Sequence, residues 1–236
     1  MAMTNPSATQ PGAVETVPPL GNGDRLTRAE FERRYDAMPD LKKAELIEGV
    51  VHVPSPVRFR KHARPHSRLV GWLVQYEAAT PGVESGDNAS LRMGLEEMPQ
   101  PDAMLMIAPA HEGQAQIDED DYVVGAPELV VEVAASSVDY DLNEKLQVYS
   151  QYGAREYLVW RVLDQVVDWF VLREGRYEPL LVDEAGLYKS EIFPGLWLDP
   201  AALIRGDLPA VLQALQQGLA SAEHAAFVTR LQQAKE

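Results

Sequence analysis

The stretch ELVVEVA, residues 128–134, decides the fold that this sequence predicts. Successive side chains of a strand point to opposite faces, and both faces here carry Leu or Val. A strand that is apolar on both faces is typical of the centre of a sheet covered on each side. Glu132 interrupts this run, and an unpaired buried carboxylate costs several kcal/mol or takes up a proton. The stretch therefore predicts an α/β protein with a covered sheet and a functional carboxylate at position 132.

Periodicity and turn residues predict the remaining elements outward from this strand. Upstream, we expect a helix over 28–37 with Thr27 and Glu30 as a capping box, a strand over 45–53, a helix from His66 to about residue 79, and strands over 83–85, 89–93 and 101–107. Residues 108–121 are expected to form an acidic loop. Downstream, Asp141 is expected to cap a helix that ends at Gly153.

The last hundred residues predict more strands and then helices. Residues 156–163 and 166–172 are expected to pair, with 176–182 and 193–197 extending the same sheet. An amphipathic pattern over 207–234 predicts one or two helices whose apolar side packs on the domain or on a second copy of the chain. We therefore divide the chain into a disordered tail (1–24), one domain (25–200) and a C-terminal helical extension (201–236).

Composition excludes several classes of protein. The 236 residues include no cysteine, which excludes disulfides, thiolate zinc sites and cysteine nucleophiles. The five histidines show no zinc-site spacing, and the chain has no P-loop, no GxGxxG and no GxSxG motif. The first residues do not resemble a secretory signal, and no apolar run is long enough for a membrane helix. We expect a soluble, cytoplasmic protein.

Charge is distributed unevenly along the chain. The formal net charge is −15, and thirteen acids but no Lys or Arg lie between residues 94 and 144. The stretch RFRKHARPHSR, residues 58–68, has no acid. Its five cations are Arg58, Arg60, Lys61, Arg64 and Arg68. The net charge argues against non-specific binding of polyanions, whereas this stretch allows a local basic edge.

Three residues form the candidate site. Asp102 opens an apolar strand next to Pro101, Glu132 follows 30 residues later, and Lys145 lies on the next predicted helix. Two carboxylates are brought together favourably only if a cation neutralises them, and oxygen ligands suit Mg²⁺ or Mn²⁺. Taken singly, each residue has an ordinary structural explanation, but their order is more informative.

That order resembles the Uma-type restriction endonucleases of the PD-(D/E)XK nuclease superfamily. The resemblance covers about residues 26–172 and depends on short matching pieces. These pieces are Leu26-Thr27 with Glu30-Phe31, Glu45 to Gly49, Ser55-Pro56, His66, Pro101-Asp102, Glu128 to Val133, Asp141, Lys145, Tyr149, Gly153 and Glu156-Tyr157.

The resemblance implies a restriction-endonuclease-like core, with a central mixed sheet flanked by helices. It also implies that Asp102 and Glu132 are metal ligands, with Glu45 as a third acid. Lys145 would replace the lysine usually found two residues after the Glu, since position 134 is Ala. The family's Ser-Pro-Ser reads Ala-Ser-Ser at 135–137, and its Asp after the Glu-Tyr strand is replaced by Arg161.

These observations lead to one functional hypothesis and two alternatives. The hypothesis is a Mg²⁺- or Mn²⁺-dependent endonuclease that hydrolyses DNA phosphodiester bonds and acts as a homodimer. Its nucleic-acid contacts would be Arg58, Arg60, Lys61, Arg64, His66 and Arg68. One alternative is a catalytically silent nuclease fold that serves as a binding or assembly module, which the net charge favours. The other is a metal-dependent hydrolase of small phosphate esters.

Overall fold

The structure, a computed structural model, describes residues 16–234. Seven α-helices lie in this part of the chain: α1 (Arg28–Asp36), α2 (Arg64–Ala79), α3 (Val138–Leu142), α4 (Glu144–Tyr152), α5 (Pro200–Arg205), α6 (Leu208–Leu219) and α7 (Ala222–Ala234). A π-helical turn, Phe59–Ala63, leads directly into α2, so this helical segment begins earlier than the predicted His66. A 3₁₀ turn covers Pro109–His111.

Thirteen strands lie in the same part of the chain. They are β1 (Glu45–Ile47), β2 (Val50–His52), β3 (Val83–Asp87), β4 (Leu91–Arg92), β5 (Ala103–Ile107), β6 (Gln116–Ile117), β7 (Val123–Val124), β8 (Leu129–Ala134), β9 (Glu156–Arg161), β10 (Val166–Arg173), β11 (Arg176–Pro179), β12 (Tyr188–Lys189) and β13 (Trp197–Leu198). Six form the main sheet in the order β11-β10-β9-β8-β5-β3. β8 and β9 are parallel, and the other neighbours are antiparallel. The predicted mixed sheet, with β8 inside it, is confirmed.

Both faces of the sheet are covered, as the apolar pattern of β8 predicts. On one face, Val131 belongs to a hydrophobic cluster with Trp72 of α2 and with residues of α5, α6 and α7. On the other face, Val130 and Ala134 belong to a second cluster with Tyr149 of α4. Glu132 shares its face with Val130 and Ala134 because side chains alternate along a strand. The carboxylate therefore lies on the side of the sheet that α4 covers.

The predicted strand over 45–53 is wrong in one respect, because it is a hairpin of β1 and β2. The two turn residues, Glu48 and Gly49, have φ values of 50° and 70°. Positive φ at both central residues is the backbone of a tight hairpin turn, which glycine at the second position favours. The Glu48 N–H donates to both carboxylate oxygens of Glu97, at 3.1 and 3.0 Å. This contact compensates for the unusual backbone of a non-glycine residue.

Two other predicted strands do not join the main sheet. Residues 193–197 were expected to extend it, but Trp197–Leu198 pairs with Tyr188–Lys189 in a separate two-stranded sheet. β4, within the predicted strand 89–93, pairs with β7 and lies in a three-stranded sheet that includes β6 from the predicted acidic loop. Arg92 draws the loop inward, since its guanidinium binds Asp118 and Asp120. β11 does extend the main sheet, as predicted.

The predicted capping role of Asp141 is wrong. Asp141 lies inside the short helix α3, and α4 begins at Glu144 and ends, as predicted, before Gly153. The Asp141 carboxylate accepts a hydrogen bond from the Ser137 hydroxyl at 2.6 Å and is buried. Burial of this carboxylate is costly, and the Lys145 ammonium 3.9 Å away offsets part of that cost.

Both ends of the described chain pack against the domain. Residues 1–15 of the predicted tail lie outside the described residues, whereas Leu20 is buried in a cluster with Phe31 and Leu46. In the C-terminal helices, Leu215 and Phe227 belong to the same core as the main sheet. The predicted packing of this extension on the domain is thus confirmed, and the homodimer stays a prediction. Within residues 16–234, no helix has the length and apolar character needed to cross a membrane.

Candidate active site

Asp102 and Glu132 lie next to each other on neighbouring strands. Ala103 pairs with Val131 in the antiparallel register of β5 and β8, so the next pair along the ladder is Asp102 and Glu132. The Asp102 N–H points to Glu132 Oε2 at 3.4 Å. Both side chains are buried. The two acids that the sequence analysis assigns to one site are thus neighbours, and their role as metal ligands stays a prediction.

Helix α4 supplies the partners of Glu132. Lys145 Nζ lies 2.8 Å from Glu132 Oε1, and the Tyr149 hydroxyl donates to the same oxygen at 3.1 Å. Residues four apart share one face of a helix, so Lys145 and Tyr149 reach the strand together. Burial and the charges of Glu132 and Glu45 raise the pKa of Tyr149 well above its usual value, so its hydroxyl keeps the proton it donates.

Within residues 16–234, Lys145 is the one ammonium within 4 Å of three buried carboxylates. Besides Glu132, its Nζ lies 2.7 Å from Glu45 Oε1 and 3.9 Å from Asp141 Oδ1. Glu45 also accepts the Gln100 N–H at 2.8 Å, which fixes its position. β1 thus brings the third predicted acid to the ammonium, and the structure adds Asp141 to the set.

One ammonium cannot neutralise three carboxylates, and the pKa values reflect this. Burial, together with the nearby charges of Asp102, Asp141 and Glu45, raises the pKa of Glu132 to about 8. Burial also raises the pKa of Asp141 to about 6. Burial by itself would lower the pKa of Lys145, but the surrounding carboxylates hold it well above its usual value. The site therefore has a permanent ammonium, which compensates only part of the charge that the three carboxylates carry when all are ionised.

Asp102 has its own pair of partners, which the sequence analysis missed. Lys43 Nζ lies 2.9 Å from Asp102 Oδ1, and His62 Nε2 lies 3.0 Å from Oδ2, which also accepts the Val133 N–H at 2.8 Å. Burial would raise the pKa of Asp102, but the His62 hydrogen bond and the Lys43 charge hold it well below its usual range. His62 could have been suspected because it lies in the basic stretch. Lys43 gave no signal, since a lysine before a strand is ordinary.

The donor set suits a divalent cation by chemistry and by charge. Among residues 16–234, no three His, Cys, Asp or Glu side chains are placed to hold a metal ion together, because Lys145 draws Glu45 and Glu132 to itself. Mg²⁺, however, commonly uses only one or two carboxylates and takes its other ligands from water and substrate phosphates. Asp102 and Glu132 provide two such carboxylates. Glu45 lies close to Glu132, since both contact Lys145 Nζ. The uncompensated negative charge favours a cation at this place.

The predicted nucleic-acid contacts separate into three groups. Arg58, Arg60, Lys61 and Arg64 are exposed on the π-helical turn and at the start of α2. His66 instead points into the structure, with Nε2 2.7 Å from the Asp102 carbonyl oxygen and 2.9 Å from Asp87 Oδ1. Arg68 lies one helical turn after Arg64 on α2 and is half-buried, with its guanidinium against Gly206 after α5. Only the first group forms a basic surface near the site.

The fold and this cluster of acids with a lysine define a nuclease-like protein, and comparisons with known proteins agree. The Uma2 family profile, described as "Putative restriction endonuclease", matches residues 28–201. The chain therefore belongs to the Uma2 family, as the resemblance in its sequence indicated. A crystal structure from Anabaena variabilis, described as "a putative nuclease belonging to DUF820", has a similar fold, with a TM-score of 0.50 and 16% sequence identity. The match covers 73% of this chain and 97% of that one. No curated protein matches the chain.

Proposed function

We propose that the protein is a Mg²⁺- or Mn²⁺-dependent endonuclease that hydrolyses DNA phosphodiester bonds. The observation that carries this proposal is the placement of Asp102 beside Glu132, with Lys145 as a permanent ammonium at the same place. Membership in the Uma2 family supports the reaction class. DNA as the substrate and Mg²⁺ or Mn²⁺ as the metal go beyond what family membership supports.

Asp102 and Glu132 would hold the cation, with Glu45 as the third acid. A bound Mg²⁺ polarises a phosphate oxygen and lowers the pKa of a bound water, which is the chemistry that phosphodiester hydrolysis needs. Lys43 and His62 keep Asp102 ionised and oriented, since both bind its carboxylate. An ionised carboxylate is the form that binds a metal, so Glu132, whose pKa is raised to about 8, would release its proton when the cation binds.

Lys145 acts as a hydrogen-bond donor and a positive charge rather than as a base. Its pKa lies well above the usual value, so it keeps its proton at neutral pH. In that state it stabilises the negative charge that develops on the phosphoryl oxygens and orients the attacking water. Glu45 and Tyr149 fix the Lys145–Glu132 pair in place, through the 2.7 Å contact to Nζ and the 3.1 Å contact to Oε1.

A cleavage assay on supercoiled plasmid DNA tests the proposal. Wild-type protein with Mg²⁺ or Mn²⁺ is expected to nick or linearise the plasmid, and EDTA is expected to abolish this. Asp102→Asn and Lys145→Met should each lose at least a hundredfold in rate, whereas Asp118→Asn, which changes an acid in the Arg92 cluster, should not. Metal-independent cleavage, or activity that survives in both site variants, would contradict the proposal. Metal binding without cleavage of DNA would favour a silent binding module.

A further inference from the structure

We propose that the exposed turn formed by residues 57–64 binds single-stranded nucleic acid, with Phe59 stacking on an unpaired base. We call this segment the basic turn. This proposal rests on the proposed function for one point, that the ligand is a nucleic acid. It adds that the bound form is single-stranded. Its test measures binding without metal, so that it is independent of cleavage.

Phe59 is an exposed aromatic residue in the middle of the basic turn. Its side chain is 68% exposed, and the neighbouring Val57 is 64% exposed. Buried aromatic side chains contribute strongly to stability, so an exposed one forfeits that contribution. The turn itself is unusual, because the Ala63 N–H donates to the Arg58 carbonyl oxygen and the Arg64 N–H to that of Phe59. Such π-helical turns occur frequently at functional sites.

The charges around Phe59 indicate an anionic ligand. Arg58, Arg60, Lys61 and Arg64 surround it in the sequence and are all exposed. Within residues 16–234, none of these four has an acidic partner within 4 Å, unlike Arg92, Arg161 and Arg173. An aromatic ring flanked by unpaired cations combines the two groups that bind single strands, because bases stack on the ring and phosphates bind the cations.

The basic turn is tied directly to the candidate active site. His62 belongs to the same turn as Phe59, and its Nε2 lies 3.0 Å from Asp102 Oδ2. A strand held by the four cations would therefore run past Asp102.

Stacking on Phe59 requires a base whose face is free. In a duplex, neighbouring base pairs cover both faces, so a protein reaches phosphates and groove edges but not the ring surface. A single strand offers both its phosphates and its base faces. The basic turn should consequently bind single strands more tightly than duplexes of the same sequence.

Fluorescence anisotropy in EDTA tests this preference with a labelled 20-nucleotide oligodeoxynucleotide, alone and annealed to its complement. We expect at least tenfold tighter binding of the single strand. Phe59→Ala should weaken single-strand binding about tenfold and leave duplex binding unchanged, and Phe59→Tyr should restore it. Arg60→Ala should weaken both and reduce the salt dependence. The matched control is Leu181→Ala, which removes another exposed apolar side chain, 80% exposed, and should change nothing.

Three outcomes would overturn the inference. They are equal affinity for both forms, unchanged single-strand binding in Phe59→Ala, and loss of a protein dimer in Phe59→Ala by sedimentation, which would make the turn an interface between copies of the chain. Because Phe59 is exposed, the variants should keep the melting temperature of the wild type. If single strands bind as expected but no substrate is cleaved, the proposed function fails and this inference stands.

Discussion

The Lys145 ammonium lies 2.8 Å from Glu132 Oε1, and both residues are buried. The lysine comes from α4 and the glutamate from β8, the strand that precedes the helical segment in the chain. A buried ion pair seldom stabilises a fold more than apolar residues of the same size would. Glu45 and Asp141 are buried beside the same ammonium, so the fold buries a whole group of charges here. A buried group of charges that stability does not require points to a functional requirement for it.

Replacement of Lys145 should destabilise the protein strongly. Lys145→Met removes an ammonium that lies within 4 Å of Glu45, Glu132 and Asp141, and it leaves these three acids without that partner. We expect the free energy of unfolding at pH 7.5 to fall by about 3–5 kcal/mol in urea titrations. The double variant Lys145→Met/Glu132→Gln should recover part of this loss. A loss below about 1 kcal/mol in the single variant would show that the three acids are not held as described.

Glu156 should make stability depend on pH. Burial raises the pKa of Glu156 from the usual 4.5 to about 7. Hydrogen bonds from Ser190 and from the backbone N–H groups of Glu191 and Ile192 lower this pKa, but burial outweighs them. The folded chain therefore binds more protons than the unfolded chain between these values. The contribution of Glu156 to stability is fully present below pH 4.5 and is lost as the pH rises through 7. This loss lowers the free energy of unfolding by about 3 kcal/mol.

Glu156→Gln isolates this effect, because glutamine resembles the protonated acid and does not titrate. Urea titrations from pH 4.5 to 8 should show a shallower fall in stability for this variant than for the wild type. Glu184→Gln, which changes an exposed glutamate, serves as the control and should retain the wild-type slope. Equal slopes for all three proteins would mean that Glu156 titrates normally in the folded chain.

Two helical glycines should respond oppositely to alanine. A Cβ at Gly218 of α6 would overlap the Gly195 carbonyl oxygen, which lies on the segment before β13. We expect Gly218→Ala to lower the free energy of unfolding by about 1–3 kcal/mol. Gly71 of α2 has open space around it, so Gly71→Ala should raise stability by up to about 1 kcal/mol. Thermal unfolding measures both, and a neutral Gly218→Ala would contradict the close packing of α6.

The sequence predicts the fold correctly where the local apolar pattern of a segment also reflects its position in the sheet. The apolar run of β8 identified a covered central strand, and the same run exposed Glu132 as an anomaly. The hairpin at Glu48 and Gly49 was missed because a non-glycine residue with positive φ needs Glu97, 49 residues away, to compensate for it. The separate sheet of β12 and β13 depends on pairing that neither segment's composition specifies.

The sequence also predicts some residues of the candidate site and not others. Glu132 is conspicuous as a carboxylate in an apolar strand, and Asp102 and Lys145 are predicted from their order around it. Glu45 follows from the family resemblance alone. Lys43 and His62 are not predicted, since each is unremarkable in its own segment and acquires a role only when the fold brings it to Asp102. Asp141 was taken for a cap because capping is the usual role of an aspartate before a helix. Long-range electrostatic partners of this kind cannot be derived from local sequence.

Titration calorimetry of Mn²⁺ into metal-free protein at pH 7.5 tests the central claim most directly, that Asp102 and Glu132 jointly hold a divalent cation. The account predicts one site in the wild type, its loss in Asp102→Asn and Glu132→Gln, and its retention in Asp118→Asn, with folding of each variant checked by near-ultraviolet circular dichroism. Absence of binding at millimolar Mn²⁺, or equal binding by the wild type and Asp102→Asn, would contradict it.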